Sequence, residues 1–249
     1  MKAPRNVIVM GDTPVIRTEG LTFGWRKNAP PVLVISTLAV SRNERVFIKG
    51  PSGSGKSTLL SLIGGVVVPR EGEITVLGRN IGELAGARRD SFRADHIGFI
   101  FQMFNLIPYL SIVDNVLLPC RFSPARRDRL LQRGVTLQQE AVRLLTRLEL
   151  GEDLFERPVT ELSIGQQQRA AAARALIGQP DILIADEPTS ALDAGTRESF
   201  LNLLFEECAA QHITVVFVSH DSSLEPLFDR TIELDTINET PAVAPASMV

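Results

Sequence analysis

The chain has 249 residues, ordinary apolar content and a net charge of -3, long enough to bury a core as one large domain or as a main domain with a smaller subdomain. That charge carries no overall basic bias, so binding to nucleic acid through a general electrostatic surface is not indicated. The two cysteines, Cys120 and Cys208, stand alone without C-x-x-C spacing, which fits a reduced, cytosolic protein in which each is a small buried apolar residue.

The apolar run Val7–Met10 is too short for a signal-peptide core and meets Gly11 and Asp12 at once, so residues 1–14 read as an extension. Residues 15–22 and 32–40 read as strands, separated by a turn-rich patch at 26–31. Between them stand Phe23 and Trp25. Either offers an aromatic face to a nucleotide base, and core packing is the equal alternative. Trp25, beside Arg26 and Lys27, reads as the nearer to a surface.

An apolar run at 45–49 then leads into Gly50-Pro51-Ser52-Gly53-Ser54-Gly55-Lys56-Ser57-Thr58, and an apolar helical run follows from Leu59 to Ile63. Strand, glycine-rich loop and helix are the context in which G-x-x-x-x-G-K-S/T has a mechanism. The glycines let the backbone curl until successive N–H groups face an anion, and the helix start adds unpaired donors. A triphosphate fits such a nest, with Lys56 at the β- and γ-phosphates, Ser57 as a ligand for Mg²⁺ and Thr58 near the α-phosphate. The longest apolar stretch, 59–68, is broken by Ser61, Gly64 and Gly65 and falls short of the roughly 20 residues that span a bilayer. No membrane span is expected; work at a membrane requires another chain.

A turn at 69–72 precedes a strand at 73–77 ended by Gly78, and a polar stretch with Arg88, Arg89 and Arg93 leads to a strand at 96–101 that stops at Gln102. His96 reads as a surface or edge residue. From Met103 to Pro119 the chain is apolar without a clean period, interrupted by Asn105, Pro108 and Pro119. A groove for a partner helix and a loosely helical satellite core are both open readings. The arginine-rich stretch 121–133 reads as a solvated loop, with contact to anionic lipid headgroups as the second option. Thr136 opens a helix through a capping box with Gln139, and Ala141, Leu144, Leu145 and Leu148 form its apolar stripe. Residues 85–160 thus read as a mostly helical insertion between the strands of a nucleotide-binding sheet.

Ser163 is placed as the N-cap of an alanine-rich helix closed by Gly178 and Pro180, a second helix start able to attract phosphate. Residues 182–186 read as a buried parallel strand ending in Asp186 and Glu187, where ligands of open α/β sheets bind. Asp186 suits Mg²⁺ and Glu187 suits polarising a water. After a helix to about Gln211, a strand at 213–218 ends at His220, placed to donate to a γ-phosphate oxygen. The last strand is 230–234, and the Pro- and Ala-rich tail beyond Asn238 reads as flexible.

Over nearly its whole length the chain resembles the nucleotide-binding subunit of an ATP-binding cassette (ABC) transporter. Gly50–Thr58 matches Walker A, Gln102 the Q-loop glutamine, Leu162–Gln166 the signature motif, 182–186 Walker B with Glu187 its catalytic glutamate, 190–193 the D-loop and His220 the switch histidine, all in the family's order. The wording around them is similar to the lipoprotein-release and macrolide-exporter branch. The resemblance implies an α/β P-loop NTPase fold: a RecA-like core sheet, an N-terminal antiparallel β subdomain and an α-helical signature subdomain at about 103–178 within an ATPase domain at 15–238, followed by a flexible tail at 239–249. It implies ATP and Mg²⁺ as ligands, with Ser57, Gln102 and Asp186 at the metal. Lys56, Gln102, Glu187 and His220 act in catalysis, and Ser163, Gly165, Gln166 and Asp193 join the loop residues and one of Phe23 and Trp25 around the nucleotide. It implies a head-to-tail dimer with a second copy, an integral-membrane permease docked near 103–119, a periplasmic adaptor or binding protein reached through that permease, no nucleic acid, and a place on the cytoplasmic face of the inner membrane.

One position departs from the pattern. Ile164 stands where the family usually has the first glycine of Leu-Ser-Gly-Gly-Gln, so the backbone there is expected to be ordinary and the side chain to crowd the partner's nucleotide and slow turnover. A soluble ABC ATPase acting on ribosomes or DNA is the competing reading, and its relatives generally carry two cassettes or long coiled-coil insertions that are not seen in this sequence. A binding module with little hydrolysis is the third, opposed by Glu187 and His220.

Overall fold

The computed structural model describes residues 13–240 apart from Ala191, so the extension expected at 1–14 and the tail expected at 239–249 fall almost wholly outside the described residues. Glu239, placed at the start of the flexible tail, is in fact tied down. Its N–H donates to Val34 O at 2.8 Å, and the Asn238 amide beside it bonds Val34 N and Val32 O.

Strands β1 (Ile16–Phe23) and β2 (Leu33–Val40) pair antiparallel, with Ile16 opposite Val40 and Phe23 opposite Leu33. β3 (Arg45–Lys49) leaves for a second sheet and runs into the glycine-rich loop and α1 (Lys56–Ile63). β4 (Glu71–Val76) and β5 (Arg79–Asn80) return to the first sheet, whose order is β2-β1-β4-β5. Next comes α2 (Gly86–His96), inside the span read as mostly helical but not singled out there as an element, because it buries only Phe92 and shows no apolar stripe. β6 (Ile97–Ile100) follows.

The segment from 101 to 181 is where expectation and structure differ most. Residues 103–111 are irregular, but Ile112–Phe122 is a helix, α3, with Ile112, Val113, Val116 and Cys120 buried at helical spacing, so the second half of the stretch follows the helical-core alternative. Ser111 caps it, and the fully buried Asn115 amide pins the preceding loop through Ile107 N at 2.7 Å and Ile107 O at 3.0 Å. Residues 121–133 are not a solvated loop: α4 (Pro124–Gln132) starts at the N-cap Ser123, and Arg126 is 1% exposed. Its guanidinium donates to Ala94 O (2.7 Å), Ile97 O (2.6 Å) and Ile177 O (3.0 Å), so the ends of several elements satisfy a charge that would otherwise require water. α5 (Leu137–Arg147) has both halves of the expected Thr136–Gln139 capping box, and α6 (Ile164–Leu176) has one between Ser163 and Gln166.

β7 (Ile182–Asp186), α7 (Ala194–Ala210), β8 (Thr214–Val218), β9 (Arg230–Glu233) and a short α8 (Leu234–Ile237) complete the chain. The second sheet is parallel throughout, in the order β6-β7-β8-β3-β9. Phe47, Ile100, Leu183, Ala185 and Phe217 point to one face and pack with α3, α5, α6 and α7. Their strand neighbours Val46, Ile48, Ile184 and Val216 point to the other and pack with α1 and the antiparallel sheet. With both faces covered, the carboxyl ends of the parallel strands are the part of the sheet left open to a ligand. Among the described residues no helix is long and apolar enough to cross a membrane.

Candidate active site

The glycine-rich loop leaves β3 at Lys49 and closes on α1. Gly53 and Gly55 take φ of +79° and +99°, and a Cβ on Gly55 would lie 2.7 Å from Leu33 Cδ2. Glycine is therefore required there by conformation and by space. The first helical bond joins Leu59 N–H to Gly55 O at 2.8 Å, so the N–H groups of Lys56, Ser57 and Thr58 precede the helical ladder and are left for a ligand at the helix start. No acidic residue occupies the first turn and no side chain caps it. The Ser54 hydroxyl is buried without a partner, and Lys56 Nζ spans the loop to Gly50 O at 2.8 Å and Pro51 O at 2.9 Å. This is a cradle of donors and one ammonium, fitted to phosphate oxygens.

The other candidate groups sit at the neighbouring strand ends. Asp186 closes β7 in register with Val218 of β8, and Ile100, two residues before Gln102, is in register with Ala185. Burial pushes the Asp186 carboxyl above its ordinary value; the Ser57 hydroxyl and the Lys56 ammonium oppose this, and Glu187 adds to it. His220 Nδ1 lies 2.7 Å from Glu187 Oε2, within hydrogen-bonding distance. Glu187 has φ of +48°, a left-handed conformation that a side chain disfavours, held by its N–H to Val218 O at 2.9 Å. Among the described residues no cluster of three or more His, Cys, Asp or Glu side chains could hold a metal by itself. A hydroxyl and one carboxylate beside a phosphate cradle suit Mg²⁺, which takes few protein ligands and fills its octahedron with phosphate oxygens and water.

The residues at the start of α6 are engaged with one another. Gln166 N–H donates to Ser163 Oγ at 3.3 Å, and Ser163 N–H to Gln166 Oε1 at 2.9 Å. No hydrogen bond among the described residues links Ser163–Gln166 to the loop at 50–58. Gly165 has no positive φ, and among the described residues an added Cβ would meet Leu192 Cδ2 at 3.8 Å, an ordinary contact. Ile164 adopts the ordinary backbone expected of it and is 55% exposed. Asp193 caps α7 by accepting from Thr196 N–H at 3.0 Å.

Of the two aromatic candidates, Phe23 is corrected. It is 6% exposed, packed in the core with Ile16 and Leu33, while Trp25 is 62% exposed and meets the Phe23 ring edge-on at 5.2 Å. A register shift in β1 between Glu19 and Thr22, with Gly20 at φ +57°, turns Leu21 and Phe23 onto the buried face that Ile16 and Thr18 occupy before it. Arg70 then bonds the carbonyls of Gly24, Arg26 and Ala29, which fixes the turn that presents Trp25. His96, read as an ordinary edge residue, pairs with Asp181 at 2.7 Å.

Two further residues near the candidate groups went unnoticed in the sequence. Arg197 pairs with Asp221, next to His220, and donates to Leu192 O at 2.9 Å, so it clamps the turn before Asp193 to the loop after β8. Arg174 on α6 donates to Asn105 O at 2.6 Å and to Phe104 O. Arg197 is 24 residues from Asp221 and Arg174 is about 70 from its partner loop, so neither long-range partner follows from local spacing.

The ABC transporter family model matches residues 34–190. The chain is 39% identical over 222 residues to the lipoprotein-releasing system ATP-binding protein LolD of Xanthomonas campestris pv. campestris (strain 8004), covering 88% of this chain and 90% of that one. It is 40% identical over 223 residues to LolD of Xylella fastidiosa (strain Temecula1), covering 89% and 90%. Among solved structures it resembles the dimeric post-hydrolysis state of the ATP-binding cassette MJ0796 bound to ADP and Pi, with a TM-score of 0.77, 36% identity and coverage of 88% and 93%. It also resembles cbiO1 from Clostridium perfringens, part of the ABC transporter complex cbiONQ, with a TM-score of 0.76, 26% identity and coverage of 90% and 86%.

The fold and the cradle at the strand ends thus define a P-loop ATPase of the cassette type. The chain belongs to the ABC transporter family, within its LolD branch, and is an ATP-binding, ATP-hydrolysing transporter subunit. These likenesses do not favour a ribosome- or DNA-directed ATPase.

Proposed function

We propose that two copies of this chain close head to tail on ATP, each laying the start of its α6 on the nucleotide held by the other's glycine-rich loop. The observation that carries this is the pair of anion-directed helix starts, Lys56–Thr58 and Ser163–Gln166, which no hydrogen bond among the described residues joins. Gly165 supports it, because a glycine with no positive φ and, among the described residues, only an ordinary contact at 3.8 Å for an added Cβ suits close approach from outside.

In this reading Gly50, Pro51, Ser52, Gly53, Ser54 and Gly55 wrap the phosphates, and Lys56 exchanges the Gly50 and Pro51 carbonyls for β- and γ-phosphate oxygens. Ser57, Asp186 and Gln102 hold Mg²⁺, which when bound neutralises charge on those oxygens. Trp25 stacks on the base, and Asp193 faces the partner's site. Glu187 accepts a proton from the attacking water as its oxygen bonds the γ-phosphorus and the bond to the bridging oxygen breaks, leaving ADP and phosphate. His220, released from Glu187, donates to a γ-phosphate oxygen. The domain at 15–238 closes, and its helical part at about 103–178 carries the movement to a permease docked on the exposed Met103 and Tyr109 region. The permease holds the subunit on the cytoplasmic face of the inner membrane. The relatives named as ATP-binding proteins of a lipoprotein-releasing system support release of lipoprotein as the task, and the permease would reach a periplasmic adaptor on the far side.

The test is the Glu187→Gln chain with ATP and Mg²⁺. A stable dimer with ATP bound, beside a wild-type chain that hydrolyses ATP and co-purifies with an integral-membrane protein, is the expected result. A chain that stays monomeric and co-purifies with ribosomes overturns the reading.

A further inference from the structure

We infer that Arg174 is a positioning residue that couples the Gln102 loop of one nucleotide site to the signature helix start that serves the other. The inference rests on the head-to-tail reading above and deepens it. Immediately after Gln102 and Met103, Phe104 and Asn105 take φ of +57° and +49°, two successive left-handed residues that are not glycine. Side chains disfavour that conformation, so surrounding contacts must hold it. Internal turn bonds, Phe104 N–H to Phe101 O at 2.9 Å and Asn105 N–H to Met103 O at 2.6 Å, fix the shape of the turn, and the buried Phe104 ring and the Asn115 amide on Ile107 help to seat it. Arg174 ties it to α6, since its two terminal nitrogens take the two strained residues' carbonyls.

The choice of arginine is informative. Burial lowers the Arg174 pKa and no carboxylate offsets that, so the charge is kept in a half-buried position to bond a loop backbone. A fork with fixed geometry holds both carbonyls at once, which a lysine's single ammonium does less well. Arg174 rides on α6, whose first residue follows Ser163, roughly 16 Å away at 1.5 Å per residue. The helix is capped at its start and buries Ala170–Ala173 and Ala175 against its neighbours, so it moves as a rod. A shift of Gln102, driven by its own nucleotide or by a partner on Met103 and Tyr109, therefore displaces Ser163 at the other nucleotide through Arg174.

The test uses the full-length chain with ATP and Mg²⁺ and a double-mutant cycle of Arg174→Gln with Gln102→Ala. Arg174→Gln is expected to lower kcat about tenfold while the Kd of the single chain for ATP stays within about twofold, and to weaken ATP-driven dimerisation in the Glu187→Gln background. In the Gln102→Ala background the same substitution is expected to cost nothing further, since the loop it positions has already lost its reporter. Arg174→Lys is expected to fall between, and it carries the test where Arg174→Gln does not fold. Full additivity of the two losses, or unchanged kcat and dimerisation, overturns the inference. A wild-type chain that neither hydrolyses ATP nor dimerises is a different result and overturns the head-to-tail reading itself.

Discussion

His220 Nδ1 and Glu187 Oε2 lie 2.7 Å apart across the ends of β8 and β7. The hydrogen bond holds a carboxylate whose backbone is left-handed at φ +48°, so the group proposed as general base is parked before substrate arrives. His220, far more exposed than Glu187, is the partner free to swing away. Removal of the base by Glu187→Gln is expected to lower kcat about a thousandfold, while His220→Ala, which removes a donor and the parking contact together, lowers it about a hundredfold. Single-turnover ATP hydrolysis measures both. A Glu187→Gln chain that hydrolyses within tenfold of wild type would sink the assignment.

Ile164 supplies a second prediction. It stands at the first helical position of α6, exposed, where glycine is usual in the family, and in the proposed head-to-tail dimer its side chain is expected to crowd a nucleotide laid against Ser163 and Gly165. Ile164→Gly is expected to raise kcat about threefold and to lower thermal stability by up to about 1 kcal/mol, because glycine weakens a helix start. Steady-state ATPase rates with melting curves on the same samples separate the two effects. An unchanged rate removes the crowding argument.

What could be read from the sequence divides by range. The cradle at 50–58, the acids after β7 and His220 were legible because each depends on residue types at fixed local spacing beside an apolar strand, and the bounds of β7 fell where expected because a strand buried on both faces is apolar from end to end. Phe23 was not legible, since the register shift in β1 decides which face it takes. Nor were α2 and α4, whose surfaces are polar and whose fixing contacts come from elsewhere. Arg126, Arg174 and Arg197 each act on backbone far away in the chain or on a loop whose place only the fold determines.

Arg126 makes the point testable. Its guanidinium serves carbonyls of α2, β6 and the end of α6, and burial lowers its pKa to about 10, still charged at neutral pH. Arg126→Met keeps much of the volume but leaves those carbonyls without donors, at an expected cost of about 3 kcal/mol. Arg126→Lys, with one ammonium, recovers less than half of it. Urea unfolding of the three chains decides. A Met variant as stable as wild type would mean that the carbonyls find other donors.

Acid is the last probe, through the bridge between α5 and α7. Arg143 bonds Glu140 at 2.8 Å and Glu207 at 2.5 Å. Burial pushes the Glu207 carboxyl up, but hydrogen bonds from Arg143 and Gln211 outweigh it and hold the carboxyl below its ordinary 4.5. A depressed carboxyl means that the unfolded chain binds the proton first. Its stabilisation is therefore complete above pH 4.5 and is lost as pH falls below that value toward the lower pKa of the folded chain. Arg143→Met is expected to cost about 2 kcal/mol at neutral pH, less than a fully buried pair because Arg143 is partly exposed. The deficit should shrink as the pH drops below 4.5, since the wild type then loses the same bridge. Melting temperatures of both chains from pH 7 to about pH 4 measure it. A gap between them that stays constant into the acid range would show that Glu207 is not held ionised by Arg143.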